Sequence, residues 1–470
     1  MFSEIRDSLL GFGASIIGAV VQSTQQTRYS PEKLWTESSN ETKAFLLELF
    51  KDMKTPPFDV HAHAVCAGKT EDGLSCINAK YFIPSNFYYY VKMGIFKSAL
   101  GIPSDLSMEK EPDKVNESIH NRHESLLKYM TPPDYPLAQS ALFAFDPCYT
   151  KDGMLDEEHT EVIVPMKEVF QRVEESEHLY PVASIHPYAA NAQERLLDYI
   201  ARGGKVIKWL PSSQGMDPGD KEDMRITNFY RTMQENDMIL LTHVGMEHSL
   251  PGFSKHEYCA PSRLELPLEM GVNVISAHVG CIGHDYHKDE DGSWQKEGEG
   301  DSKNSSSFHR VLGMMAKYPK LYADVSSLPL INRLQTIGHL LDLHIPENGD
   351  PELNVVKFQA LVGSSEDITS LRVQSIVSRL LYGSDYPLPC LWGLNSTRKL
   401  VQAGYIDNRE RSILNEVFRY NPLLYNFALM RTVQHPETGA KFLSEMFGKH
   451  PDLSFFDYEK YHQYKQRENR

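Results

Sequence analysis

The chain has 470 residues, which exceeds one small domain but would fill a single α/β barrel with insertions. Lys and Arg number 48 against 63 Asp and Glu, so the formal net charge is −15. A chain this acidic repels the phosphate backbone, and we expect no nucleic-acid partner. Hydrophobic residues make up 41% and charged residues 24%, values that are typical of a folded globular protein and exclude disorder as the dominant state.

The amino terminus contains a short apolar segment, Leu9–Val21, of thirteen uncharged residues. A membrane-spanning helix needs about 20 apolar residues, so this segment predicts no stable membrane span. A secretory signal needs a basic leader, whereas Glu4 and Asp7 offset Arg6. We expect the segment to pack on the domain as a helix or hairpin; contact with a membrane surface and a weak export signal are the alternatives.

The six cysteines are scattered, and none forms a Cys-x-x-Cys pair. This spacing argues against a disulfide scaffold or a thiolate zinc site, and it suits a reducing compartment. We therefore expect a cytoplasmic protein.

Eight short β-rich segments follow one another along the chain, most of them near-continuous apolar runs. Such runs are typical of parallel strands that are covered on both faces. The segments are Phe58–His63, Ala141–Asp146, Val182–Pro187, Lys205–Leu210, Met238–His243, Val272–His278, Leu321–Ser326 and Leu380–Asp385.

Helical patterns lie between these segments. Ala192–Arg202 places Leu196, Leu197 and Ile200 on one face and is ended by two glycines, and Met224–Asn236 precedes the fifth strand. Asp407 is a good N-cap for a later helix. The apolar side of that helix consists of Ile413, Leu414, Val417 and Phe418.

Eight alternations of strand and helix predict an α/β fold, specifically a (β/α)8 TIM barrel. The alternative, a doubly wound sheet, would need a Gly-rich phosphate turn after the first strand, and HAHAVCAGK is not one. Three connections between predicted strands are long: residues 64–140, 279–320 and 327–379. They predict insertions after strands 1, 6 and 7 that serve as lids, subsites or interfaces. The expected organisation is an N-terminal extension (1–55), the barrel (56–430) and a C-terminal tail (431–470), with a homodimer as the expected assembly.

Two histidines, His61 and His63, lie two residues apart on the first predicted strand and therefore point to the same face. Buried imidazoles are costly unless each nitrogen has a partner, and a divalent metal would satisfy both rings at once. Two hydrogen-bonded structural histidines are the alternative explanation of this pair alone.

Three more polar residues end predicted strands: His243 the fifth, His278 the sixth and Asp385 the eighth. The carboxyl ends of the strands form the active face of a TIM barrel, so all five side chains should converge there. Imidazole and carboxylate donors suit a metal such as zinc or manganese. The sequence therefore predicts a metal centre.

The motifs FDVHAH, KVIKWLP, LLTHVG, ISAHVG, YADVSS and LYGSDYP, followed by EVFRYNPLLYNFAL, resemble the amidohydrolase superfamily. The likeness is to its amidohydrolase-related branch of predicted metal-dependent TIM-barrel hydrolases, which includes the aminocarboxymuconate-semialdehyde decarboxylase type. It covers roughly residues 56 to 430, and its motifs are specific as an ordered set but weak individually.

The resemblance implies a divalent metal, Zn²⁺ first and Mn²⁺ as the alternative, in one or two ions. Asp385 would also take a proton from the metal-bound water, and His278 would act as an acid, a base or a ligand of the second ion. Lys208 stands where two-metal members carry a carboxylated lysine; an uncarboxylated amine paired with a carboxylate or with substrate is the equal alternative. The implied ligands of the first ion are His61, His63, His243 and Asp385.

Two further aspartates have implied or open roles. Asp59 resembles a group that orients a ligand histidine. Asp324, in YADVSS, either faces the pocket or hydrogen-bonds to neighbouring backbone groups.

These features predict a metal-dependent hydrolase in which an activated water attacks an ester, lactone or amide of a small organic substrate. The alternative enzyme is a non-oxidative decarboxylase of a carboxylated ring or unsaturated acid, and a third possibility is a barrel kept only for binding. No arginine stands where the sequence alone marks a carboxylate clamp, which favours hydrolysis. An anionic substrate would need local cations, for which Lys208 and an unlocated arginine are the candidates.

Overall fold

The computed structural model describes residues 29–176, 178–297, 306–344, 350–363, 368–391 and 394–468. The predicted apolar segment Leu9–Val21 lies outside these ranges. Parallel strands alternate with helices in the described chain, so the predicted α/β class is confirmed. The strands are β1 (Phe58–His63), β2 (Gln139–Phe143), β3 (Leu179–Val182), β4 (Val206–Trp209), β5 (Ile239–Thr242), β6 (Asn273–Ser276), β7 (Asp285–Lys288), β8 (Trp294–Glu297), β9 (Leu321–Asp324) and β10 (Leu380–Leu381).

The strands form two parallel sheets and one antiparallel hairpin. One sheet has the order β1-β2-β3, the other has the order β4-β5-β6-β9-β10, and β7 pairs with β8. Backbone contacts join the two sheets at both edges. Ala183 bridges Ile207 between β3 and β4, and Ala62 of β1 bridges Tyr386, just beyond β10. There the N–H of His63 donates to the carbonyl of Tyr386 at 2.9 Å.

Every strand of the two parallel sheets overlaps or adjoins its predicted segment, but several end early. The predicted third strand, Val182–Pro187, was placed too late, since the observed strand is Leu179–Val182. The sixth, seventh and eighth end at Ser276, Asp324 and Leu381, and soon after each end follows a residue with positive φ: His278 (57°), Ser327 (59°) and Asp385 (60°). An extended strand cannot continue through the left-handed region.

The helices fill the connections between strands. In the first long connection lie two helices, in the second a hairpin and one helix, and in the third three helices. None of the described helices is both long and apolar enough to cross a membrane. The helices are α1 (Leu34–Glu37), α2 (Asn40–Phe50), α3 (Phe87–Leu100), α4 (Pro112–Lys128), α5 (Met166–Glu174), α6 (Ala192–Ala201), α7 (Pro211–Gln214), α8 (Met224–Glu235), α9 (Glu265–Glu269), α10 (Ser306–Lys317), α11 (Leu334–Leu341), α12 (Pro351–Val362), α13 (Ser370–Ser378), α14 (Thr397–Gln402), α15 (Asn408–Tyr420), α16 (Pro422–Thr432) and α17 (Tyr458–Glu468).

The predicted helix signals agree with the structure apart from one side chain. Asp407 caps α15 in a capping box with Glu410, and the four predicted apolar residues of this helix are buried. Helix α6 buries Leu196 and Ile200, but Leu197 is 51% exposed, so its placement on the buried face was wrong. Adjacent helical residues point about 100° apart, and the buried face of α6 is narrower than the sequence pattern suggested.

Leu196→Ala and Leu197→Ala test this packing directly. Leu196 is fully buried, so its truncation should lower the free energy of unfolding by about 2–5 kcal/mol. Leu197→Ala should cost less than about 1 kcal/mol because the side chain is half exposed. Chemical denaturation of the full-length variants measures both, and equal losses would contradict the packing described for α6.

Candidate metal centre

Three side chains from the carboxyl ends of β1 and β10 meet at one point. The Nε2 atoms of His61 and His63 lie 3.3 Å apart. The Oδ1 atom of Asp385 lies 3.2 Å from Nε2 of His63 and 3.6 Å from Nε2 of His61. These three ligand atoms are all within 4.8 Å of one another, which is the spacing that a shared ion requires. Nitrogen and carboxylate donors of this kind fit zinc or manganese.

His243, at the end of β5, points a buried nitrogen without a partner into the same region. Its Nδ1 atom lies 3.4 Å from Oε2 of Glu247. Its Nε2 atom is buried and has no hydrogen-bond partner among the described residues. Burying a polar atom without a partner is costly, and a metal ion on the cavity side would supply one. This observation fits the predicted ligand set, although His243 does not belong to the tight group of three.

Asp324, at the end of β9, holds the ring of His61 in place. Its Oδ2 atom accepts from Nδ1 of His61 at 2.9 Å, which turns Nε2 towards His63 and Lys208. Its Oδ1 atom accepts from the backbone N–H of His278 at 3.0 Å and from the N–H and hydroxyl of Ser326. Both oxygens are therefore engaged, and the role of Asp324 is to orient the rings around it.

Asp59 holds the backbone rather than a ring. Its Oδ1 atom accepts from the backbone N–H groups of His61 at 3.0 Å and Ser384 at 2.8 Å. It thereby ties β1 to the segment after β10. The implied role of orienting a ligand ring is fulfilled by Asp324 instead, because Asp324 lies across from the ring on β9, whereas Asp59 precedes His61 on the same strand.

His278 and Lys208 complete the interior of the site. Nδ1 of His278 lies 2.8 Å from the Ser326 hydroxyl, which leaves Nε2 on the opposite side of the ring. The His278 ring is 5.0 Å from that of His61 and 5.1 Å from that of His243, measured between centroids. Nζ of Lys208 lies 3.3 Å from Nε2 of His61. The described hydrogen-bond partner of Lys208 is thus an imidazole, not the carboxylate that the sequence analysis considered.

Burial controls the charge of the basic groups. It holds the pKa of His61, His243 and His278 below the usual histidine range, so these rings are neutral at pH 7, the form that binds a metal. Burial also lowers the pKa of Lys208 to about 8.

The two central carboxylates are ionised despite their burial. Burial by itself raises the pKa of Asp385, but its hydrogen bond with His63 and the nearby imidazoles hold that pKa well below 3.8. His61 has the same effect on the pKa of Asp324. Burial raises the pKa of Asp59 to about 7, because its partners are only backbone N–H groups and Ser384.

The site opens into a cavity of 960 Å³. His61, His63, Lys208, His243, His278 and Asp385 all line it, so the structure brings the six predicted site residues to one place. The sequence analysis missed Glu247 and Ser326, which contact ligand rings, and Arg333, which lines the cavity. The spacing His-x-x-x-Glu from His243 to Glu247 was the available signal for Glu247. Ser326 ends the predicted seventh strand and so had a positional signal, whereas Arg333 lies in the connection after β9, where no strand pattern applies.

Comparisons with known proteins give structural likenesses only. No family model and no curated protein matches the chain. An uncharacterized TIM-barrel protein from Bordetella bronchiseptica is 13% identical, with a TM-score of 0.39, over 72% of this chain and 89% of its own. An amidohydrolase from Burkholderia multivorans with bound zinc is 12% identical, with a TM-score of 0.32, over 74% and 89%.

A 2,6-dihydroxybenzoate decarboxylase complexed with 2,6-dihydroxybenzoate is 8% identical, with a TM-score of 0.28, over 80% of this chain and 99% of its own. The structural neighbours named as amidohydrolase and decarboxylase are of the kind that the sequence motifs resemble. At this level of similarity they do not assign a function to the chain.

Gly383 lies against the site, and Gly383→Ala should disturb it. A Cβ atom there would lie 2.7 Å from Cβ of His61 and 3.1 Å from Cβ of Ser326. We expect the free energy of unfolding to fall by about 1–3 kcal/mol. Gly313→Ala in α10 is the matched control, because a Cβ there meets no described atom within 4 Å. In denaturation experiments, the free energy of unfolding of the control should rise by up to about 1 kcal/mol. Equal changes in the two variants would contradict the close packing at Gly383.

Proposed function

We propose that this protein is a metal-dependent hydrolase that cleaves an ester, lactone or amide of a small organic substrate. The observation that carries the proposal is the meeting of two imidazoles and one carboxylate within 4.8 Å at the mouth of a large cavity. We further propose that the eight parallel strands form one closed (β/α)8 barrel, supported by backbone bridges at both sheet edges. Residues 56–430 would be this barrel, preceded by an extension (1–55) and followed by a tail (431–470).

The proposed ligands of the first ion are His61, His63, His243 and Asp385. A divalent ion held there would supply a Lewis acid and lower the pKa of a bound water from 15.7 towards about 7. Lys208 and His278 are the proposed groups for a second ion or for substrate. Ligand atoms of His61, His278 and Asp324 form a second close group, but both Asp324 oxygens already accept hydrogen bonds from the protein, which supports a single ion at the first group.

Asp385 is the proposed general base. Its Oδ2 atom accepts a hydrogen bond from the Ser327 hydroxyl, which fixes the carboxylate plane, while Oδ1 faces the two histidines of β1. An ionised carboxylate in this position can accept a proton from the attacking water. His278 is held through Nδ1, which donates to the Ser326 carbonyl, so the neutral ring presents an unprotonated Nε2. This nitrogen would first accept a proton and then deliver it to the leaving group.

The location of Arg333 keeps a second candidate, the non-oxidative decarboxylase, beside the hydrolase. The sequence analysis preferred hydrolysis partly because no arginine marked a carboxylate clamp, but Arg333 lines the cavity. A guanidinium can bind a substrate carboxylate in either reaction, so this residue does not decide between them. The reaction products distinguish the two reactions. Cleavage of p-nitrophenyl acetate or dihydrocoumarin would support hydrolysis, and release of carbon dioxide from 2,6-dihydroxybenzoate would support decarboxylation.

Metal removal tests the proposal as a whole. The purified full-length protein should hold a stoichiometric divalent ion, measured by mass spectrometry. Chelation should abolish turnover, and Zn²⁺ or Mn²⁺ should restore it. His63→Ala should lower both metal content and turnover, the latter by about 100-fold or more, since it removes a ligand. His462→Ala, on the exposed face of α17, is the control. A metal-free protein with full activity would overturn the proposal.

Asp324→Asn and Asp59→Asn should separate the roles of the two buried aspartates. An asparagine in place of Asp324 could not hold the His61 ring as a carboxylate does, so the affinity for zinc should fall about 10–100-fold. Asp59 accepts only backbone N–H groups through Oδ1, and an asparagine oxygen can still do so, so its variant should bind zinc almost normally. Competition with a chromogenic chelator measures both affinities; equal losses would contradict the assignment.

A further inference from the structure

Arg333 carries buried donors that the described protein leaves without a partner. It precedes α11, in the connection after β9, and lines the cavity. Its Nε and Nη1 atoms are buried, and neither has a hydrogen-bond partner among the described residues. Leaving buried donors of a charged group unpaired is costly. A guanidinium presents its donors in a planar fork that matches the two oxygens of a carboxylate.

Two arginines that hold the fold together have paired donors. Arg195 binds Asp146 through two parallel hydrogen bonds of 2.9 and 2.5 Å. Arg379 donates to a set of backbone carbonyls, including that of Leu321 at 2.7 Å. A buried Nε without a partner also occurs elsewhere among the described arginines, for example in Arg411, but Arg333 leaves both Nε and Nη1 in this state and lines the cavity, which points to a ligand as its partner.

The cavity is basic although the chain is acidic. Its described lining holds four Lys or Arg side chains against two carboxylates, whereas the chain carries a net charge of −15. Burial is the main cause of the low pKa of His243 and His278, and the charge of Arg333 lowers both further. The guanidinium is therefore within electrostatic reach of the rings at the candidate metal centre. The basic residues of the lining are Lys208, Lys296, Arg333 and Lys399.

The rest of the lining is largely apolar. Met93, Phe96 and Leu100 of α3 contribute one part of it, and Phe145 and Val164 contribute another. A volume of 960 Å³ is at the upper end of the range for small-molecule sites. Such walls suit an aryl or aliphatic group that is much larger than acetate.

We propose that the site binds an organic carboxylate with a bulky apolar body, in which Arg333 pairs with the carboxylate and the apolar wall encloses the body. That this ligand is the substrate rests on the proposed function. Binding of the anion itself does not, because it requires Arg333 and not the metal. Arg333 is accordingly a specificity-determining residue of the cavity.

Binding of 4-phenylbutyrate and its uncharged amide to the full-length protein tests the proposal. Titration calorimetry is performed on the protein as purified and after chelation, so that an acid bound by a metal is distinguished from one bound by Arg333. We expect the acid to bind about tenfold or more tightly than the amide in both forms. Acetate should bind more weakly than 4-phenylbutyrate because it cannot fill the apolar cavity, and phenylphosphonate tests whether any oxyanion suffices.

Arg333→Gln should remove the preference for the acid, and Arg333→Lys should keep part of it. Arg398→Gln is the matched control, since Arg398 is exposed and does not line the cavity. Circular dichroism confirms that each variant is folded, and the ratio of acid to amide affinity is a readout that a purely structural role would not change. Equal binding of acid and amide, no binding of the acid at millimolar concentration, or an unchanged preference in Arg333→Gln would overturn the proposal.

The outcomes also separate this inference from the proposed function. A protein that lacks metal and turnover but prefers the acid through Arg333 would overturn the hydrolase and retain the carboxylate site. A metal-dependent hydrolase that binds acid and amide equally would retain the hydrolase and overturn the carboxylate site.

Discussion

The candidate site depends on one buried carboxylate, Asp324. It accepts hydrogen bonds from the ring of His61, the backbone of His278 and the side chain of Ser326, and thus joins three strand ends. Its charge is compensated by these donors, which is why the pKa of a fully buried aspartate stays low. Because Nδ1 of His61 is held on this side, Nε2 has to face His63 and Asp385, and the candidate centre follows from that constraint.

The backbone contributes a second constraint, at the points where strands end. His278, Ser327 and Asp385 all have positive φ, which for residues other than glycine costs roughly 1–2 kcal/mol each. Of the three residues, His278 and Asp385 line the cavity. Residues held in such conformations are concentrated at functional sites, where neighbouring contacts compensate the strain. Here the hydrogen bond from Ser327 to Asp385 connects two of the strained positions.

The sequence was informative wherever strand geometry determines position, and less so elsewhere. Alternation along β1 was sufficient to predict that His61 and His63 share a face, and apolar runs located the other strands. The sequence could not show which of Asp59 and Asp324 holds the His61 ring, because both lie next to buried residues. Only the packing of β1 against its neighbours determines that Asp59 binds the backbone and Asp324 binds the ring. Arg333 lies in a connection without periodicity, so its approach to the cavity depends on tertiary packing.

The apolar walls and the isolated cation act together. Two unit charges 4 Å apart interact by about 1 kcal/mol in bulk water but by about 4 kcal/mol at an effective dielectric constant of 20. Apolar side chains of α3 line the same cavity as Arg333, and an anion bound there would feel a lower effective dielectric constant than in bulk water. Salt and water screen the exposed acidic groups that make up most of the net charge of −15. A single guanidinium beside an apolar wall can therefore select an anion inside a protein whose exterior, at long range, repels it.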